Sequence, residues 1–176
     1  MSHIRSRPLA LVGSRGSGKS TVGRLLAPLC ALEFIDMDTR IEHLLGCSIA
    51  DAFALRGELA FRDAESAVLA DLVRQNPDAV IATGGGVIVR PANREILQST
   101  TQVVWLQVPP RILAARLEQD PASRPSLTGK PISKEVEEIL AIREPLYREV
   151  AHHIVDAARP PHVVATEIAR IPLPIR

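Results

Sequence analysis

Residues 13–20 read GSRGSGKS, a full match to G-x-x-x-x-G-K-[ST], placed between the apolar run Leu9–Val12 and the helical-period segment Lys19–Leu29. Few folds accommodate that arrangement. A strand that ends in a glycine-rich turn and passes into a helix gathers consecutive backbone N–H groups into an anion nest, and the positive end of the helix points at the same place. The phosphates of a nucleotide fit such a cradle, with Lys19 neutralising β and γ oxygens and Ser20 ligating magnesium. A merely glycine-rich turn is the plain alternative, but a chance match has odds of about one in a few hundred, and the strand-to-helix placement lowers them.

Four more short apolar runs, at 34–35, Ala79–Ala82, 103–106 and 154–155, each close on a polar or glycine-rich break and read as buried strands. Segments of helical period lie between and after them at 58–73, 110–118, 133–149 and 163–168. This alternation predicts an α/β fold, a parallel sheet covered by helices. Gly57 is expected to end a helix that begins near Ser48 and to precede another starting at Glu58, so a helical insertion follows the second strand. Residues 120–133, DPASRPSLTGKPIS, hold three prolines and a glycine and read as a long loop, a candidate lid carrying Arg124 and Lys130.

A chain of 176 residues is expected to form a single domain. Its 21 basic and 20 acidic side chains nearly cancel, which gives no bulk charge for nucleic acid or an anionic membrane surface. Aromatic content of 3% also argues against single-stranded nucleic acid. No apolar run approaches the roughly 18–20 residues that span a bilayer, so the expectation is a cytoplasmic protein, with monomer as the default state. Cys30 and Cys47 lack CxxC spacing and read as reduced, buried thiols, neither a disulfide nor a zinc site. His43, His152 and His153 fall in no catalytic or metal-binding pattern, and Trp105 sits in an apolar run as a core residue.

Three further places carry chemistry. Asp36 and Asp38 close the second apolar run two residues apart, so extended geometry would point both the same way. Asp36 can then hold a magnesium-bound water while Asp38 meets a substrate hydroxyl; equally, Asp38 before Thr39 is a good helix N-cap. Thr83-Gly84-Gly85-Gly86 follows the third run, and three glycines at a strand's carboxyl end let a ligand approach the backbone. Arg62, in GELAFRDAE, has Glu58 four residues before and Glu65 three after, so a surface salt-bridge ladder competes with a ligand role. Arg143, in REPLY, has Glu144 and Pro145 beside it and could equally be structural.

Taken in order, GSRGSGKS, DMD, GELAFRDAE, TGGG, RPSL and REPLY resemble the shikimate kinases over essentially the whole chain. The resemblance implies a P-loop, nucleoside-monophosphate-kinase-like three-layer fold with a five-stranded parallel sheet, a substrate-binding helical region at about 37–65 and a mobile lid at about 120–134. It implies ATP-dependent phosphorylation of the 3-hydroxyl of shikimate, in aromatic amino acid (chorismate) biosynthesis, with Mg2+. Carried onto this sequence, nucleotide binding falls on Gly16, Ser17, Gly18, Lys19, Ser20 and Thr21, with Arg116 as the adenine-stacking arginine and Arg159 and Pro160 in the adenine loop at 157–161. Shikimate binding falls on Asp38, Arg62, Gly85, Gly86 and Arg143. Catalysis falls on Lys19, Asp38 and the lid arginine Arg124, and the metal on Ser20 and Asp36.

Two arginines gripping a carboxylate, with a carboxylate and glycine N–H groups selecting hydroxyls, suit a small anionic polyol. The chain departs from the family's RPLL lid pattern at Ser126, and its adenine loop reads AARPP. Two other readings remain: a related small-molecule kinase such as a gluconate kinase, and a non-catalytic P-loop module that senses a metabolite.

Overall fold

The computed structural model describes residues 7–119 and 131–172. Its elements, in chain order, are β1 (Leu9–Val12), α1 (Lys19–Leu29), β2 (Glu33–Asp36), α2 (Met37–Leu45), α3 (Ile49–Gln75), β3 (Ala79–Ala82), a short 3-10 turn (Val87–Val89), α4 (Pro91–Thr100), β4 (Gln102–Gln107), α5 (Pro110–Gln119), α6 (Ile132–Val150), β5 (His153–Asp156) and α7 (Pro161–Ala169). All five strands form one parallel sheet in the order β2-β3-β1-β4-β5.

That order follows from which runs are apolar throughout. Every residue of β1 and β3 is buried, as are the first five of β4, which requires helices on both faces of the sheet. α1 packs with α7, while α4 packs with both α3 and α6. The outer strands β2 and β5 each bury only their third residue, as less covered edge strands do. β1 hands the chain outward to β2, β3 returns between them, and β4 and β5 fall on the other side of β1, so the strand order reverses beside β1. In open α/β sheets such a reversal opens a crevice beyond the carboxyl ends of the strands, and there ligands bind.

Beyond β2 the structure departs from the extended geometry expected across Asp36 and Asp38. Met37 is fully buried and already helical, so the strand ends at Asp36 and α2 begins at once. The cap is Asp36 rather than Asp38: its carboxylate accepts the Asp38 backbone N–H at 3.1 Å. β3 lies between β2 and β1 in the sheet. Gly57 breaks α3 as expected, at φ 77° and ψ 169°, and the two arms fold together through the Phe53 and Phe61 rings, 4.5 Å between centroids.

α4 is an element that the apolar pattern does not announce: of its ten residues only Asn93 and Leu97 are buried, and proline at its first position is the main sequence sign of its start. The three terminal residues assigned to the lid, 132–134, belong to α6. Trp105 is a core residue, 2% exposed. His152 also has a structural task, since its Nδ1 accepts the Val103 N–H at 3.0 Å, where β5 begins to pair. The two cysteines are free and half-buried, rather than buried.

Candidate active site

The loop after β1 is shaped by its glycines. Gly16 and Gly18 adopt φ of 78° and 91°, conformations that side-chain-bearing residues rarely take, and Gly18 in that conformation starts α1. A Cβ at Gly16 would also stand 3.2 Å from Leu117 of α5. Ser17 is buried and donates its N–H to Ser14 O at 3.1 Å, closing the loop. Lys19 folds back over it: Nζ donates to Gly13 O at 2.8 Å, Ser14 O at 2.9 Å and, longer, Ser17 Oγ at 3.4 Å. Burial pulls the ammonium down from 10.5 to about 8, with Arg143 adding to the fall and the nearby Asp38 and Asp36 carboxylates opposing it.

Ser20 Oγ donates to Asp36 Oδ2 at 2.6 Å, joining the first turn of α1 to the end of β2 across the crevice. Asp36 therefore does two jobs, capping α2 and holding Ser20. Thr21, at the next position, is exposed.

The turn after β3 lies at the centre. Thr83 bonds Leu11 O twice, through its N–H at 3.2 Å and its hydroxyl at 2.9 Å, which pins the turn to the end of β1. The three glycines leave the space that neighbours fill. A Cβ at Gly84 would stand 3.0 Å from Asp38 Oδ1 and 3.2 Å from Glu65 Oε1; at Gly85, 3.2 Å from the Arg15 nitrogen; at Gly86, 2.4 Å from Arg62 Nη1. The turn thus touches the phosphate loop on one side and Asp38, Glu65 and Arg62 on the other.

Arg62 reaches Glu65 at 2.8 Å and Glu58 at 3.3 Å, so the ladder foreseen from the spacing is present. It is not a surface ladder. The Arg62 side chain is 11% exposed and Glu65 only 1%, and the guanidinium lies 5.3 Å from the Phe61 ring centroid and 5.9 Å from that of Phe53. Glu58, 67% exposed, is the weak and replaceable partner, and an incoming anion can displace it. Arg143 of α6 donates to Gly85 O at 3.3 Å and makes no salt bridge within the described residues, although Glu65 is near enough to feel its charge.

Glu65 is the site residue whose importance the sequence hides, because its spacing from Arg62 fits an exposed ladder as well as a buried pair. Burial pushes its carboxyl above the ordinary range, Arg62 pulls it back, and Asp38 adds to the rise. A carboxyl whose folded pKa is raised gives stability that is fully present below its unfolded value and is lost as pH rises through the folded value. Wild-type stability relative to Glu65→Gln should therefore fall as pH rises above the ordinary carboxylate range. Urea midpoints of both proteins from about pH 4 to about pH 8 test this, and a difference that is flat or rises over that range contradicts the buried-carboxyl account.

Arg116 donates to Gly16 O at 3.3 Å, Ala157 O at 2.9 Å and Ala158 O at 3.4 Å, tying the phosphate loop to the segment before α7. Arg159 pairs with Glu167 and donates to Asp156 O at 3.1 Å; Pro160 precedes α7 as its N-cap. Arg124 lies outside the described residues.

The sequence pattern of the shikimate kinase family matches residues 15–171. Shikimate kinase 2 of Dickeya chrysanthemi is 42% identical over 165 residues, covering 93% of this chain and 94% of that protein. The shikimate kinase from Acinetobacter baumannii, solved in complex with shikimate, superposes with a TM-score of 0.88 at 38% identity, over 94% of this chain and 92% of that one. A gluconokinase from Sinorhizobium meliloti shares the fold alone, with a TM-score of 0.53 at 18% identity over 93% and 89% of the two chains. In sequence over nearly all its length, and in fold, the chain belongs to the shikimate kinase family of ATP-dependent kinases.

Proposed function

We propose that this chain transfers the terminal phosphoryl group of ATP to the 3-hydroxyl of shikimate, acting as a cytoplasmic monomer, and that the residues brought together around the Gly84-Gly85-Gly86 turn carry the reaction. One observation supports this above others: the same turn lies against the phosphate loop and against Asp38, Arg62 and Arg143, so a nucleotide cradle and a cationic, hydroxyl-selecting pocket share a wall.

Arg143, and Arg62 after release from Glu58, grip the carboxylate of the acceptor. Glu65 keeps Arg62 in place. Asp38 accepts a hydrogen bond from the reacting hydroxyl, orients it and takes its proton as the bond to phosphorus forms. Lys19 exchanges the carbonyls of Gly13 and Ser14 for phosphate oxygens, where its charge is worth more. Arg116 and residues 157–160 flank the base, and Gly16, Ser17, Gly18 and Thr21 supply the backbone of the cradle. Arg124 completes the reading as the lid cation that stabilises the transferring group.

Ser20 and Asp36 suit magnesium. A hydroxyl and a carboxylate are hard oxygen donors, and two protein groups leave positions for water and phosphate oxygens, as this ion prefers. When bound, magnesium supplies positive charge to the phosphates. Among the described residues no three His, Cys, Asp or Glu side chains gather as an all-protein metal cage, and no helix there is long and apolar enough to cross a membrane.

Asp38→Asn should lower kcat by about a hundredfold or more, with a much smaller change in shikimate affinity; near-normal turnover would remove the base role. A coupled ADP-release assay with shikimate, with gluconate and without acceptor tests the assignment as a whole. Shikimate alone should accelerate release. Faster turnover of gluconate would make the protein a related sugar-acid kinase, and no acceleration by either would make it a sensor.

A further inference from the structure

Tyr147 is the chain's single tyrosine, and it is fully buried. It lies four residues after Arg143 in α6, hence on the same face of the helix. Its hydroxyl donates to Gly85 O at 2.5 Å, the carbonyl that Arg143 also reaches. Its ring stacks on Trp105 of β4, 5.8 Å between centroids and 22° between planes, so the hydroxyl is held by packing on both the sheet and the helix. Gly85 meets the phosphate loop on its other side, with the Arg15 nitrogen and Gly13 O at 3.2 and 3.5 Å from where a Cβ would stand. The glycine is therefore clamped between α6 and the loop.

The clamp has a consequence for the next residue. The Gly85-Gly86 peptide is trans, so its carbonyl and the Gly86 N–H point in opposite directions. Fixing the carbonyl on Tyr147 turns the Gly86 N–H away from α6. Among the described residues none accepts that N–H, and the Gly86 Cα lies against the Arg62 guanidinium. Burial raises the phenol above its ordinary range, which keeps it protonated, and so a donor, at neutral pH.

We infer that Tyr147 is a positioning residue for the phosphoryl acceptor: its hydroxyl holds the Gly85 carbonyl so that the Gly86 N–H and the Arg143 guanidinium meet the substrate, without itself touching it. The inference rests on reading the Gly85-Gly86 turn as part of the shikimate site. A ring that merely filled the core would need no hydroxyl, since Trp105 supplies its packing. A buried phenol without a partner would cost stability.

The test is Tyr147→Phe, which keeps the ring and its stack and removes only the donor. The expected result is a kcat/KM for shikimate lowered by about tenfold, mostly through KM, the size of one hydrogen bond, with ADP affinity unchanged. 4-Aminophenylalanine at position 147, which restores a donor at the same place, should recover most of the loss. Unchanged shikimate kinetics in the phenylalanine protein would overturn the inference, and so would a loss that the amino analogue does not repair. The analogue also decides the matter if the phenylalanine protein proves unstable. Gly86→Ala, which drives a methyl into Arg62, separates the two readings. It should abolish shikimate binding; if it leaves binding intact, the site reading itself fails, whereas an impaired Gly86→Ala beside a normal Tyr147→Phe removes only the tyrosine's role.

Discussion

Replacing Lys19 with methionine is expected to lower kcat by about a thousandfold or more while thermal stability holds or improves. The two halves have one cause. Lys19 is charged at neutral pH in surroundings that penalise the charge, pulling its pKa from 10.5 to about 8, so the unfolded chain holds that proton more tightly than the folded one. A lysine in that condition subtracts from stability at pH 7, where it is charged in both states, and the penalty fades only as pH rises from the folded toward the unfolded value. Methionine has nearly the same length and no charge, and it relieves the cost. What it cannot do is meet phosphate oxygens. The bonds now made to Gly13 and Ser14 are with neutral carbonyls and are exchangeable, and the gain on exchange is concentrated where charge moves in the transition state. Steady-state ADP release and a thermal melt on the same preparation check both halves. A variant that lost activity by unfolding would contradict this account as surely as one that stayed active.

Arg62→Ala and Arg143→Ala should each weaken shikimate binding by about 2 to 5 kcal/mol, the range for removing one partner of a desolvated charge pair, and leave ATP binding largely intact. Their effects on stability should differ. Without Arg62, Glu65 remains in a place where it is 1% exposed and has lost its cation, so the folded protein must either bury an unpaired carboxylate or protonate it. Arg143 has no such dependant among the described residues, and its longer bond to Gly85 O is backed by that of Tyr147. Arg62→Ala is therefore expected to lose both affinity and melting temperature, and Arg143→Ala mainly affinity. Titration calorimetry with shikimate and thermal melts separate the two. Unchanged shikimate affinity in either variant would reject the carboxylate clamp.

How much of this could be read without coordinates depends on whether a residue's surroundings are local in sequence. β1 and β3 were legible to the residue because all four positions of each are buried, and a strand sealed on both faces leaves an unbroken apolar run. The phosphate loop was legible because its chemistry is carried by adjacent residues. α4 was not, since a helix with two buried residues in ten has little periodic signal. The carboxylates at 36 and 38 showed their residue types but not their geometry: Met37 goes into the core, turns the chain into a helix, and gives Asp36 the capping role that one of two readings gave Asp38. Spacing paired Arg62 with Glu65 but could not say which way the pair faces. The break at Gly57 and the contact of Phe53 with Phe61 decide that. The bond from Tyr147 to Gly85 spans 62 residues and has no signature in either segment alone.

All the assignments converge on one arrangement, in which separate stretches of chain surround a carboxylated ring whose hydroxyl faces the nucleotide. A crystal structure with shikimate and a non-hydrolysable ATP analogue measures it directly. The ring carboxylate is expected between Arg62 and Arg143, with the Gly86 N–H donating to the ligand and the 3-hydroxyl beside Asp38 in line with the terminal phosphate. A carboxylate bound away from both arginines, or a 3-hydroxyl turned from the phosphate, would contradict it.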